Sequence, residues 1–375
     1  MSLSDLEIKG YRSIRAIRFP LRRLTVLTGG NGVGKTNLYR ALEMLHLAAT
    51  GDLAMAIARE GGLGAVLWAG QRGVTDKPRL ALEVGLVADD GEGTTLPRYG
   101  VEVGFGDSRY EAVFAEEPQI KSETLILPGR RPVTLLQRDR SALWYRDDSG
   151  PRRQMDDPLL ASETALSALR GTLPEVDMVR HLLASWRFYH GFRTDPQSPL
   201  RRPALAITAP MLDSDGGNLG AVLATLKHIR GDTTDLDAAI DQAFPGARLE
   251  IPVPEKFASF AMIFPDMPKR AFGAAELSDG TLQFLALLGA LLAYRLPPFI
   301  ALNEPEASLH PDLLPALARA ISRAAARTQV WVVTHSTMLA DAIAEETGTQ
   351  PRQVIRRNGS TWLEGLSEIG IFPDD

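Results

Sequence analysis

The 375-residue sequence has no cysteine, which excludes disulfide bonds, thiol nucleophiles and thiolate metal sites. The opening MSLSDLEIKGYRSIR scatters its apolar residues among charged and polar ones and shows no apolar signal core, so nothing in it points to export and a cytoplasmic protein is expected. An uninterrupted membrane-length run is also missing. The nearest approach, Leu282 to Leu302, is broken by Arg295 and Pro297-Pro298 and reads as a buried helix, a break and a buried strand. A broad positive field for nucleic acid is absent too, because the formal net charge is −5.

What remains is an ordinary globular composition, 45% apolar and 23% charged, in a chain long enough to bury two lobes of core. Arginine clusters locally at Arg12/Arg15/Arg18, Arg22/Arg23, Arg130/Arg131, Arg138/Arg140, Arg152/Arg153, Arg201/Arg202 and Arg356/Arg357. Such pairs are read first as solvated surface and second as phosphate contacts. The aspartates Asp213, Asp215, Asp232, Asp235, Asp237 and Asp241 read as helix caps and first-turn acids rather than as a metal cluster.

Three short strands are expected at Leu6–Lys9, Ile14–Phe19 and Leu24–Thr28, the last running into a glycine loop. From Asn37, apolar residues at Leu38, Ala41/Leu42 and Leu45 recur at helical spacing. Residues ~75–150 alternate β-like runs with turns (LALEVGLVA, YGVEVGF, RYEAVFA, ETLIL, VTLLQR, ALWYR), the pattern of an antiparallel meander. A helical pattern follows from Asp157 to Phe188, then a Pro- and Arg-rich loop at Thr194–Pro203 and helices over Asn218–Ile229 and Asp235–Ala243. Strands at Leu249–Val253, Ser259–Phe264 and Arg270–Ala274 precede an alternation of helix (Thr281–Tyr294), strand (Phe299–Leu302), helix (Pro311–Ala326) and strand (Gln329–Thr334), as in a parallel α/β sheet. Asn358-Gly359 between β-like runs signals a hairpin.

Four segments carry chemistry. The first is GGNGVGKT, comprising Gly29, Gly30, Asn31, Gly32, Val33, Gly34, Lys35 and Thr36 and followed by Asn37. It matches the phosphate-binding loop pattern in the strand–loop–helix setting that the pattern requires. Its N–H groups and helix N-terminus would cradle phosphates of ATP, Lys35 would reach the β/γ-phosphates, and Thr36 would give its hydroxyl to Mg2+. The second is FIALNEPE, a buried strand ending in Asn303 and Glu304. Nucleotidases of this kind usually have Asp-Glu there, so Asn303 offers Mg2+ an uncharged amide oxygen, and Glu304 is the candidate base. The third is VVTHS, in which His335 follows an apolar strand and could meet the γ-phosphate or the attacking water. The fourth is LSDGT, where Ser278, Asp279 and Gly280 open a long apolar helix. The Ser278 hydroxyl and the N–H groups around Gly280 make a second anion cradle. Two cradles in one chain make sense if the second closes over a γ-phosphate held by another copy.

Together these segments resemble the ABC-type ATPase superfamily: LSDGT for the LSGGQ signature, ALNEPEASLHP for Walker B and D-loop, THS for the switch histidine. The opening LEIKGYRSIR and LTVLTGGNGVGKTNLYRAL look like the RecF/SMC-type branch, and the chain resembles its small stand-alone prokaryotic members, described as predicted AAA or RecF-like ATPases. Lys35 and Ser278 lie 243 residues apart, far more than in a transporter ATPase, so a segment is inserted between them. The resemblance implies an α/β fold, namely an ABC-type P-loop ATPase head with a mixed sheet, an antiparallel β subdomain, and a helical lobe inserted between Walker A and the signature. It implies head-to-tail dimers around two ATP molecules, and places Arg12 and Ser13 near the nucleotide. Gln119 and Gln71 both stand open as the Q-loop glutamine. About forty residues follow His335, too few for the nuclease domain that some relatives carry.

The expected organisation is a Walker A lobe with the β subdomain at 1–150, a helical signature lobe at 151–265, and a lobe with signature, Walker B, D-loop and histidine at 266–375. The expected function is an ATP-hydrolysing conformational switch that dimerises around ATP, in DNA repair, genome maintenance or anti-phage defence. A nucleotide-gated binding module with negligible turnover is the alternative. Candidate partners are a second copy, DNA and a separate effector protein, with no membrane.

Overall fold

The computed structural model describes residues 1–71, 77–89, 93–106, 114, 116–146, 151–155 and 159–373. They form two compact units, each assembled from separated stretches of chain: Met1–Arg22 with Gly29–Trp186 and Gln353–Asp375, and Arg23–Thr28 with Arg187–Arg352.

The first unit is built on an antiparallel sheet. Its strands run in the spatial order Ile14–Pro20, Ser2–Tyr11, Arg79–Val87, Thr95–Gly104, Gln119–Leu127, Val133–Asp139, Ala142–Tyr145 and Arg153–Gln154. Period-two burial explains it: Leu6 and Ile8, Leu80 and Leu82, and Tyr99, Val101 and Val103 all turn inward. The expected meander is therefore present, apart from RYEAVFA (Arg109 to Ala115), of which all but Phe114 lies outside the described residues. The helix Lys35–Thr50 buries Leu38, Leu42 and Leu45 and packs against the helix Pro174–Ala184, where His46 Nδ1 meets the Leu183 carbonyl at 2.8 Å.

A polar knot ties this unit together. Glu123 has no exposed surface, and it accepts the main-chain N–H groups of Ala165 at 2.5 Å and Leu166 at 2.8 Å and the Tyr99 hydroxyl at 2.9 Å. Burial pushes its carboxyl above the ordinary range. Arg138, expected at the surface, is 1% exposed and donates to the carbonyls of Arg140, Leu160 and Glu163. Burial of the guanidinium is tolerated because its five N–H donors can satisfy several carbonyls at once. The strands Arg352–Arg357 and Ser360–Leu363 pair antiparallel around Asn358 (φ 50°) and Gly359 (φ 78°), the two-residue hairpin that the dipeptide signals.

The second unit holds four parallel strands in the order Arg187–Tyr189, Phe299–Asn303, Gln329–Val333 and Leu24–Thr28. Their near-continuous burial suits a sheet covered on both faces. The helix Asp279–Leu292 is buried along its whole length from Thr281 to Leu292, and Leu314–Arg327 packs beside it. The Asp157–Phe188 expectation needs correction: among the described residues it holds two helices, Ala165–Ala168 and Pro174–Ala184, and Arg187–Tyr189 is the edge strand, parallel to Phe299–Asn303. Phe188 and Tyr189 are both buried, so pairing and core packing override a pattern that reads as helical. The three strands expected before LSDGT shrink to Arg248–Glu250, Ala261–Ile263 and Phe272–Gly273. Asp215, Asp232 and Asp241 accept the main-chain N–H groups of Gly217, Thr234 and Gly246, so they hold turns and helix ends. Among the described residues, no helix is long and apolar enough to cross a membrane.

Candidate nucleotide site

In the first unit, Gly30, Asn31 and Gly32 are exposed on the glycine loop, and the helix begins at Lys35 with no acidic residue in its first turn. That end is therefore electrostatically open to an anion. Lys35 is buried, and its Nζ donates to the carbonyls of Gly29 at 2.6 Å and Gly30 at 2.9 Å. The ammonium thus folds over the loop it follows, while Thr36 is exposed.

The loop is braced from behind. Thr361 Oγ1 donates to the Val33 carbonyl at 2.7 Å and lies 2.7 Å from Ser13 Oγ, which accepts Asn37 Nδ2 at 2.6 Å. Gly34 sits at φ 105°, and a Cβ there would lie 2.0 Å from Thr361 Oγ1 and 2.6 Å from Ser13 Oγ. Only glycine fits between these hydroxyls. Ser13 and Asn37 therefore support the loop. Arg12 has φ 45°, and its guanidinium meets Glu60 Oε2 at 2.5 Å. Thr361 was not found by sequence reasoning. It lies 328 residues from Val33, and its only signal is the hairpin that carries it.

In the second unit, the polar residues gather where the parallel strands end, the edge at which α/β sheets hold ligands. Thr334 N donates to the Leu27 carbonyl at 3.0 Å and Glu304 N to the Val333 carbonyl at 2.7 Å, so three strands terminate side by side. Asn303 Oδ1 is shielded from solvent with no hydrogen-bond partner. A buried unpaired acceptor at this place fits a Mg2+-bound water, to which an uncharged amide is a weaker acceptor than a carboxylate. Glu304 adopts φ 51°, a conformation costly for a side-chain-bearing residue and frequent at functional sites. Its Oε1 lies 2.7 Å from His335 Nε2.

Glu306 completes this edge, and sequence reasoning passed over it. Its Oε1 accepts Thr334 Oγ1 at 2.6 Å, His335 N at 2.8 Å and Ser336 N at 3.2 Å, while Oε2 is buried and unpaired. The available signal was an acid two residues after Glu304.

At the signature turn, Ser278 and Asp279 are exposed and Gly280 is half-buried. Ser278 Oγ caps the helix by accepting Thr281 N at 3.2 Å and shares a bond of 2.8 Å with Thr281 Oγ1. A Cβ at Gly280 would come within 2.9 Å of the Ser308 carbonyl, so the D-loop passes too closely for a larger residue. Of the two Q-loop candidates, Gln119 accepts Lys121 Nζ at 3.1 Å, and Gln71 is exposed.

A family described as "AAA domain, putative AbiEii toxin, Type IV TA system" matches residues 24–341. The fold is similar to an SMC head bound to the C-terminal winged-helix domain of ScpA, with 14% identity, 98% of this chain and 99% of that one covered, and TM-score 0.54. It is also similar to a Pyrococcus furiosus SMC head with an extended coiled coil bound to the C-terminal domain of ScpA (13%, 98% and 96%, 0.51). A third similar structure is a Pyrococcus yayanosii SMC head with coiled coil and joint (12%, 98% and 97%, 0.50). These likenesses show an α/β fold of the SMC-head kind. No curated protein sequence matches the chain.

Proposed function

The chain belongs to that AAA domain family, a family of nucleotide-binding ATPases, and from this premise we propose that it hydrolyses ATP and uses the cycle as a conformational switch. The observation that carries the reading is the Glu304–His335 pair, 2.7 Å apart at the carboxyl edge of the parallel sheet. Lys35 and the loop N–H groups would bind the β/γ-phosphates and Thr36 would offer its hydroxyl oxygen to Mg2+; at the strand edge, Asn303 would accept from a Mg2+-bound water. When bound, Mg2+ would neutralise charge on the phosphates. Glu304 then takes a proton from the attacking water, and His335 Nε2 holds the carboxylate in place for that transfer. Ser278 and Asp279 are exposed, as needed to reach a phosphate held by a second copy, so ATP pairs two chains head to tail.

The family description names a type IV toxin–antitoxin system. That favours a defence setting over DNA repair or genome maintenance, with a separately encoded effector protein as partner and DNA as a second candidate.

The test is gel filtration of Glu304→Gln with and without Mg-ATP, together with phosphate release by the wild type and by Lys35→Ala. Pairing only in ATP, and turnover well above the Lys35→Ala background, support the reading. A monomer under both conditions removes the dimer. One observation favours a second reading, a nucleotide-gated binding module: Asn303 stands where a charged metal ligand is usual. ATP binding without phosphate release would select it.

A further inference from the structure

The signature turn carries an acid where an anion cradle would have none. Asp279 sits between Ser278 and Gly280, and its side chain is 63% exposed. Taken alone it would repel a phosphate brought to the same turn. One residue answers it. Arg201 NH2 donates to Asp279 Oδ1 at 2.6 Å. The same guanidinium reaches the carbonyls of Leu277 at 2.9 Å and Ala275 at 3.1 Å, and its Nε reaches the Thr194 carbonyl at 2.7 Å. The Arg201 side chain is only 12% exposed. It is thus a fixed part of the turn, contributed by the Pro- and Arg-rich loop that the sequence leaves without a role.

We infer that Arg201 is a positioning residue for ATP-driven pairing, which neutralises Asp279 so that Ser278 and the N–H groups at Gly280 can accept a phosphate. This rests on the pairing function proposed above and names the residue that makes the turn compatible with it. Two properties of the guanidinium matter. Its charge cancels the carboxylate, and its fork holds that carboxylate on the Leu277 side of the turn. A purely structural staple would need only the carbonyl bonds, so the two roles separate when the charge on Asp279 is removed.

The experiment uses the full chain carrying Glu304→Gln, in Mg-ATP, with the apparent dimer dissociation constant read by analytical ultracentrifugation. Arg201→Ala is expected to weaken pairing by about tenfold or more, because it exposes a bare carboxylate to the arriving phosphate. Adding Asp279→Asn to Arg201→Ala is expected to restore pairing to within about threefold of the parent, although the carbonyl bonds stay lost. Thermal melts accompany each variant. A double variant that melts like Arg201→Ala yet pairs again identifies charge as the cause. Pairing unaffected by Arg201→Ala overturns the inference, and so does a double variant as defective as the single one. A Glu304→Gln parent that stays monomeric in Mg-ATP is a different result, since it removes the pairing function and this inference with it.

Discussion

The main-chain N–H of His335 is held by the Glu306 carboxylate at 2.8 Å, on the oxygen that also takes Thr334 Oγ1 and Ser336 N. Glu306 therefore sets the turn from which the imidazole reaches Glu304. Displacing a reacting group by about 1 Å can cost about 100-fold in rate, and Glu306→Ala is expected to lower phosphate release by that order. Glu306→Gln, which keeps one acceptor oxygen, should stay within about tenfold of the wild type. A fully active Glu306→Ala protein would refute the clamp.

Asn303 offers an uncharged oxygen at the position proposed above to serve Mg2+. Asn303→Asp adds a charge there, and the Mg2+ concentration for half-maximal phosphate release should fall about tenfold. A Mg2+ titration of both proteins decides it. An unchanged midpoint would mean that residue 303 does not serve the metal.

Thr361 braces Val33 and Ser13 through one hydroxyl. Thr361→Val leaves the Val33 carbonyl without that donor, at a cost of about 1–3 kcal/mol. Urea unfolding should show that loss, and ATP affinity should drop with it, because the bracing holds the phosphate loop itself. Thr361→Ser keeps the hydroxyl and should restore both. Equal ATP affinity in all three proteins would separate the hairpin from the loop.

Asp5 supplies a pH-dependent increment of stability. Burial by itself raises its carboxyl, but the two-pronged Arg98 bond, at 2.8 Å on each oxygen, and the nearby Arg18 outweigh it, so the net shift is downward. The folded value lies below the unfolded one. The contribution is therefore complete above the ordinary carboxyl range and disappears as pH falls through the folded value. Arg98→Met should cost of order 2 kcal/mol at pH 7, and its deficit in urea midpoint should shrink below about pH 4. A deficit independent of pH would assign Arg98 a packing role instead.

Local pattern reached a long way into this protein. Strand Leu24–Thr28 and helix Lys35–Thr50 frame the glycine loop as expected, because alternation and helical periodicity act over a few residues. The Asn358-Gly359 hairpin was equally legible, since two adjacent positive φ angles admit few residue types. Arg187–Tyr189 was not. Three residues carry too little periodicity, and their neighbour Phe299–Asn303 lies far along the chain. Arg138 and Arg201 were read with the solvated arginines for a similar reason: the carbonyls they satisfy exist only once distant segments are packed.

The sequence by itself determined which atoms are available: a phosphate-loop lysine, an amide in place of a metal-binding acid, a glutamate, a histidine and an acid within the signature turn. Each of these is a choice of side chain, written once and unaffected by folding. Tertiary structure alone decided which of them are coupled. It put Thr361 behind Val33, Glu306 beneath His335 and Arg201 against Asp279. Hydrogen bonds act over about 3 Å, and chain entropy keeps residues tens to hundreds of positions apart out of that range until a packed core brings them together.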